Sequence, residues 1–416
     1  MYRKASSLIW LMVALSCLSC RAPEEDDGEE APSAMDRQNL DDNWIAVDSG
    51  PWGTLEYRRF FLPLPKIWRE TSPRNEPAVW HLPKTNPALL QEKIATSTLT
   101  DLEKKSWRET CRVEIKGDGV DIHPSPEFRW MLLPESRARL YAWLGKAASN
   151  EAQVFPFSFP ANAQAEWFQD CHLRKELIEA IEHFLYPVGT AVCFADLDLL
   201  EEYLASSDER AELLAVLHRQ PYSELRLRLN RHTDLQSLSL YWGEWQRVER
   251  VHRKFKKALE NQPENTLPLA QIIPSLPRSL LNTYPSMPRD LSQPQPDCYW
   301  TAFNFFNLKP DARFSEAAYI EEVITTHHDR VEGNPQYGDI VLLHGANGRP
   351  IHAAVYLAAD FVYTKNGGHA TKPWVIMKMA DMKAAYPMQA PLQKSFYRWN
   401  PYKNQQPFHM SSSGQK

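Results

Sequence analysis

"PDCYWTAFNFF", residues 296–306, and "YGDIVLLHGANGRPIHAAVYLAADFVYTKNGG", residues 337–368, decide how the C-terminal part of this chain is read. In the first, Pro296 and Asp297 precede apolar side chains at helical spacing, Trp300, Phe303 and Phe306. An Asp before such a run caps a helix by accepting from the free N–H groups of its first turn, so a helix is predicted to open here with Cys298 in that turn. Unpaired N–H groups and the positive end of the helix dipole favour a thiolate at that position and can donate to an oxyanion. In the second stretch, apolar runs on either side of Asn347-Gly348 predict strands in series around a turn. Residues 315–328 repeat apolar side chains at three- and four-residue spacing and read as a helix, and residues 373–386 read as a strand followed by a short helix.

His352 opens the predicted strand "HAAVYL". A hairpin turning at Ala358 to Asp360 sets His352 opposite Asn366, with Tyr363, Thr364, Lys365 and His369 as further neighbours. Taken singly, a buried Cys or a His on an apolar strand is more often core than chemistry. Taken together, a Cys at a helix start, a His on a neighbouring strand and a third polar group form the set that nucleophilic cysteine enzymes require. The His removes the thiol proton and later protonates the leaving group, and the third residue, here Asn366, fixes the ring.

Asp297-Cys298 at a helix start, Gly338-Asp339-Ile340-Val341 on the first strand and His352 through Leu357 resemble the NlpC-type papain-like cysteine peptidases, bacterial cell-wall hydrolases that cut peptide bonds in peptidoglycan stems. The resemblance covers roughly residues 296–370. It implies an α+β fold in which a helix carrying the Cys packs on an antiparallel sheet carrying the His. It also implies a cysteine hydrolase of amide bonds that needs no metal or organic cofactor. Tyr299 and Trp300 stand where that family usually has Ser and Gly, and Tyr363 or Thr364 where it usually has a third-residue His. Tyr284 corresponds loosely to a Tyr that assists the family's oxyanion site. The alternatives are a non-catalytic envelope binding or sensor protein that retains the fold, or a papain-like acyl or ester hydrolase.

Upstream, Arg3 and Lys4 followed by an apolar run from Leu8 to Leu18 read as a secretory signal over residues 1–20, of lipoprotein type if Cys20 (or Cys17) is lipidated. Residues 21–43 are acidic and almost free of apolar side chains, the composition of a disordered spacer. The expected location is therefore the periplasm or outer surface, with a membrane tether at Cys20 and peptidoglycan or another peptide or amide substrate as partner. Residues 44–265 are expected to form a mainly helical domain with a short strand-rich lead-in, residues 266–400 the hydrolase domain and residues 401–416 a flexible tail.

The chain's 416 residues carry a formal net charge of -5, and this balance does not suggest a nucleic-acid surface. The helix predicted over residues 246–260 is amphipathic with a basic outer face, which reads as a solvated surface. Of the remaining cysteines, Cys171 and Cys193 read as buried small side chains and Cys111 is open to either reading. His327 and His328 are adjacent on a helix, cannot share one metal ion, and read as surface residues, and His344 reads as solvent-facing.

Overall fold

Apolar side chains alternate along Gln220–Asn230 at Leu225, Leu227 and Leu229, and this strand pairs antiparallel with Gly53–Leu62 from Thr54↔Arg228 to Leu62↔Gln220. Ile45–Gly50 and Glu264–Pro268 complete this four-stranded sheet at its two edges. The computed structural model describes residues 44–71, 76–243, 247–260, 262–286, 295–388 and 390–403. The expected signal, spacer and most of the expected tail lie outside the described residues. No described helix is long and apolar enough to cross a membrane.

A second, six-stranded antiparallel sheet carries the C-terminal motifs. Its order is His328–Arg330, Gln393–Trp399, Ile340–His344, Pro350–Ala358, Phe361–Lys365 and Trp374–Lys378. The hairpin register agrees with the sequence reading: Val355 faces Tyr363, and Ala359 at the turn adopts a left-handed φ of 52°. The two faces of the sheet are covered differently. Ala353, Val355 and Tyr363 pack with Ala302, Phe303 and Phe305 of the segment that begins with helix Cys298–Phe303. Val341, Ala354, Tyr356 and Met377 pack on the other face against Met379 and Met382 of helix Met379–Ala384. A strand buried on both faces reads as a nearly unbroken apolar run, and "HAAVYLA" does.

The fold is mixed α+β. Residues 44–265 depart from the mainly helical expectation, because two three-stranded sheets lie within them in addition to strands of the four-stranded sheet. One is Trp80–Leu82, Gly119–His123 and Arg112–Lys116, and the other is Phe157–Pro160, Ala191–Phe194 and Tyr186–Val188. These strands span three to five residues each, too short for a period of two to stand out from a helical background. The apolar-periodic run of residues 165–185 forms two helices, Gln164–Trp167 and Lys175–Phe184. The basic amphipathic helix forms as read, over Val248–Leu259, with Val251 and Phe255 buried.

The boundary placed near residue 265 meets a continuous core. Leu55, Leu227, Phe255 and Ile273 share one apolar cluster with Ala302, Val355 and Ile376. The described residues from Ile45 onward form one compact unit. A Pro-dense stretch marks a connection without marking a break in packing, since the core is assembled from side chains on both sides of it.

Candidate active site

Asp297 sets the helix start. Its Oδ1 accepts from the Trp300 N–H at 2.8 Å, and its backbone carbonyl accepts from the Thr301 hydroxyl at 2.7 Å. Cys298 is thereby the first helical residue, as the capping pattern predicts. The helix spans six residues, so its dipole is weak and local N–H groups carry the electrostatics.

The backbone ladder between Pro350–Ala358 and Phe361–Lys365 reaches only to Val355↔Tyr363. Beyond it the backbone amides of Ala353, Tyr299 and Cys298 lie close enough to the Cys298 sulfur to act on it. All three favour the thiolate. They are outweighed by burial, which together with nearby Asp297 pushes the Cys298 thiol up to about 12. Only 5% of the residue is exposed.

His352 is fully buried, and burial pushes its imidazole down to about 3. Its Nε2 lies 2.9 Å from Thr364 Oγ1 and its Nδ1 lies 2.7 Å from the Tyr386 hydroxyl. A consistent proton assignment follows. Thr364 also reaches the Ala353 carbonyl at 3.4 Å, so with its proton there it accepts from Nε2–H while Tyr386 donates to Nδ1. Among the described residues no hydrogen bond joins the sulfur to either ring nitrogen. Because His352 alternates with Ala353, its ring projects from the sheet face shared with Thr364 and Ala354, whereas the Cys298 helix covers the opposite face.

The structure brings Cys298 and the His352 strand together at one strand end, and Tyr386, which meets His352 Nδ1, lies within electrostatic reach of Cys298. Asn366 lies beyond Lys365, the last residue of its strand, and turns to Met377, donating from Nδ2 to the sulfur at 3.5 Å. Its Oδ1 is buried without a partner. Thr364 and Tyr386 hold the imidazole, in place of Asn366, because the pleat puts Thr364 diagonally across from His352 on the same face. Tyr363 points the other way, its hydroxyl donating to the Pro277 carbonyl, and the His369 ring bonds Thr371. Tyr284 lies outside the site and donates to the Pro63 carbonyl.

Lys365 is the neighbour that sequence reasoning undervalued. It is fully buried, its Nζ donates to the carbonyls of Gly367 and His369, and it lies within electrostatic reach of Cys298 and Asp297. Burial pushes its ammonium down to about 8. Gly367, at φ 97°, adopts the left-handed turn that brings its carbonyl onto that ammonium, a conformation a side chain would strain. Tyr386 had no local signal at all. It follows a short helix 34 residues downstream, and only the packing of Met379–Ala384 under the sheet delivers it.

A cleft of about 870 Å³ opens beside the helix start, walled by Asp297, Tyr299, Ile320, His344, Arg349 and Tyr397. It reaches both sequence neighbours of Cys298, while Cys298 is absent from its lining. His344, expected to face solvent, is half-buried, with Ser395 Oγ 2.6 Å from its Nε2. His328, expected at the surface, is buried with Nδ1 at the Val323 carbonyl, and His327 stacks on Trp399. Cys111, Cys171, Cys193 and Cys298 are all free thiols, and among the described residues no three or more His, Cys, Asp or Glu side chains gather as metal ligands would. Comparison with protein-family models, with curated proteins and with solved structures returns no match.

Proposed function

We propose that this protein is a papain-like cysteine hydrolase of amide bonds, with Cys298 as nucleophile and His352 as its base. Its substrate is the peptide part of peptidoglycan, reached from the bacterial envelope after export and lipidation at Cys20. The observation that carries the reading is that the backbone amides of Ala353, Tyr299 and Cys298 lie near enough to the Cys298 sulfur to favour its anion, beside strand Pro350–Ala358, which carries His352. Such donors stabilise negative charge, first on the thiolate and then on the carbonyl oxygen that develops beside it. The motifs quoted for residues 296–370 and the apolar run of residues 8–18 support the fold family and the compartment.

In this conformation the pair is a neutral thiol and a neutral imidazole. Reaction then requires the proton to leave sulfur as the S–C bond forms. His352 accepts it when its ring turns from Tyr386 toward Cys298. The tetrahedral adduct collapses, the amine departs with that proton, and water hydrolyses the remaining thioester with His352 again as base. The cleft along Asp297 and Tyr299 supplies the approach.

A second reading has its own support. A 5% exposed sulfur and an imidazole with both nitrogens occupied also fit an envelope binding protein that kept the fold without turnover. One experiment separates the two: incubation of the purified chain and its Cys298→Ala variant with isolated peptidoglycan, followed by chromatography of released fragments. Release by the wild type alone supports the hydrolase. No release by either chain removes it in favour of the binding protein.

A further inference from the structure

Arg219 follows helix Ser207–His218, and only 8% of it is exposed. Its guanidinium lies 4.8 Å from the Phe61 ring and 6.0 Å from the Trp167 ring. Nε and Nη2, the side-on edge of the guanidinium, are buried without a hydrogen-bond partner. Arg129, deeper still, is the contrast: its Nε, Nη1 and Nη2 all bond Asp196 or Asp198 at 2.6–2.9 Å. Burying a cation with its donors unmet is costly, and a folded chain that does so is commonly missing an anion.

Arg219 walls a polar cleft of about 620 Å³, with Arg59, Arg69, Glu166, Asp170 and Glu212 also on its walls. Most of those charges are committed. Arg59 bonds Glu166 at 3.3 Å and Asp381 at 2.7 Å, and Glu212 accepts from the His172 N–H at 3.1 Å. Arg69, like Arg219, has a buried Nε without a partner. Arg59, Arg69 and Arg219 on these walls thus each keep a buried Nε without a partner, and Arg219 alone adds a second such donor, Nη2. Burial pushes the Arg219 guanidinium down from its ordinary value, against the raising influence of Cys171, Asp170 and Glu212, and an anion in the cleft would relieve that penalty.

We propose that this cleft binds the carboxylate of an amino acid or short peptide, with Nε and Nη2 of Arg219 donating as a fork to its two oxygens. A planar guanidinium edge matches two carboxylate oxygens in a way that an ammonium cannot. Arg69 supplies the second positive charge. Asp170 and Glu212 lie on the same walls and suit the ammonium that accompanies such a carboxylate. The site is separate from Cys298 and stands whether or not that residue is a nucleophile.

The test is titration calorimetry on the full chain with three probes: the dipeptide alanyl-alanine, its C-terminal amide, and inorganic phosphate. It is run on both wild type and Cys298→Ala, so that failure of the hydrolase reading and failure of this site register separately. The dipeptide should bind both chains alike, and amidation, Arg219→Met or Arg219→Lys should each weaken binding about tenfold or more. Equal binding of acid and amide, binding of phosphate alone, or no binding at all would overturn the assignment. Should Arg219→Met fail to fold, the acid-against-amide comparison on the unmodified chain decides the matter.

Discussion

Two buried cysteines in this molecule share a depth and differ in company. Cys193 sits on strand Ala191–Phe194 in a cluster with Trp80, Tyr141 and Tyr186, fully buried, and burial alone pushes its thiol up to about 12. Cys298 is nearly as deep and is pushed equally high, but three amides oppose the shift and Lys365 stands close by. The lesson is that burial of a thiol does not separate a packing residue from a poised one. Under the proposed function, the amides beside Cys298 make the difference.

The largest expected effect breaks or keeps this contrast outright. Cys298→Ala should abolish amide hydrolysis, a loss of about 10³-fold or more, since removing a covalent nucleophile leaves only binding and oxyanion stabilisation. Cys193→Ala should leave the rate within about twofold while lowering stability, because a well-packed core side chain loses its contacts. The checks are rates of fragment release and denaturant midpoints for both variants. Equal, modest losses of activity in the two would place Cys298 with Cys193 as a core residue. A peptidyl electrophile gives a second view, and it should label Cys298 and spare Cys193.

The next effect lies on the other face of the sheet and is a stability effect. His352 has a folded pKa of about 3, below the ordinary 6.5, so the unfolded chain binds a proton first as pH falls. Its contribution to stability is complete above 6.5 and is lost progressively between 6.5 and 3. By pH 5 the loss should be about 2 kcal/mol. His218, also lowered to about 3, acts in the same direction, whereas Asp381, raised to about 6, acts in the opposite one. Comparing wild type with His352→Gln cancels both. The stability gap between the two chains should narrow by about 2 kcal/mol from pH 7 to pH 5 in urea titrations. Parallel curves would show that the imidazole is neither neutral nor sealed, and the contrast between its face and the Cys298 face would fail.

The C-terminal hairpins, the capped helix and the strand register were legible because each rests on local chemistry: an Asp before an apolar run, an Asn-Gly turn, alternation bounded by turns. A correct register still left the wrong partner for His352. Pairing predicts which residues stand opposite, but a side chain at a strand end is free to lean, and Asn366 leaned to Met377 while Thr364 reached the ring. Tyr386 and the carbonyl cage of Lys365 were illegible for another reason, since both depend on where a later segment packs. The short strands of residues 44–265 were lost because three to five residues carry too few periods to compete with the helical pattern around them.

The smallest expected effect decides which residue orients the imidazole. Thr364 meets His352 Nε2 at 2.9 Å within a fully buried pair, so Thr364→Val keeps the shape and removes the hydroxyl, leaving a ring nitrogen unmet. The rate of fragment release should fall about tenfold, with the pH profile displaced, because the preferred tautomer is no longer held. Asn366 has only a weak bond to a thioether and an Oδ1 with no partner. Asn366→Ala removes a buried polar atom that nothing satisfies, so stability should change by less than about 1 kcal/mol and the rate by less than about threefold. If Asn366→Ala is instead the more damaging of the two, the working enzyme turns that amide from Met377 onto the ring, and the arrangement described for the His352 face is the resting one alone.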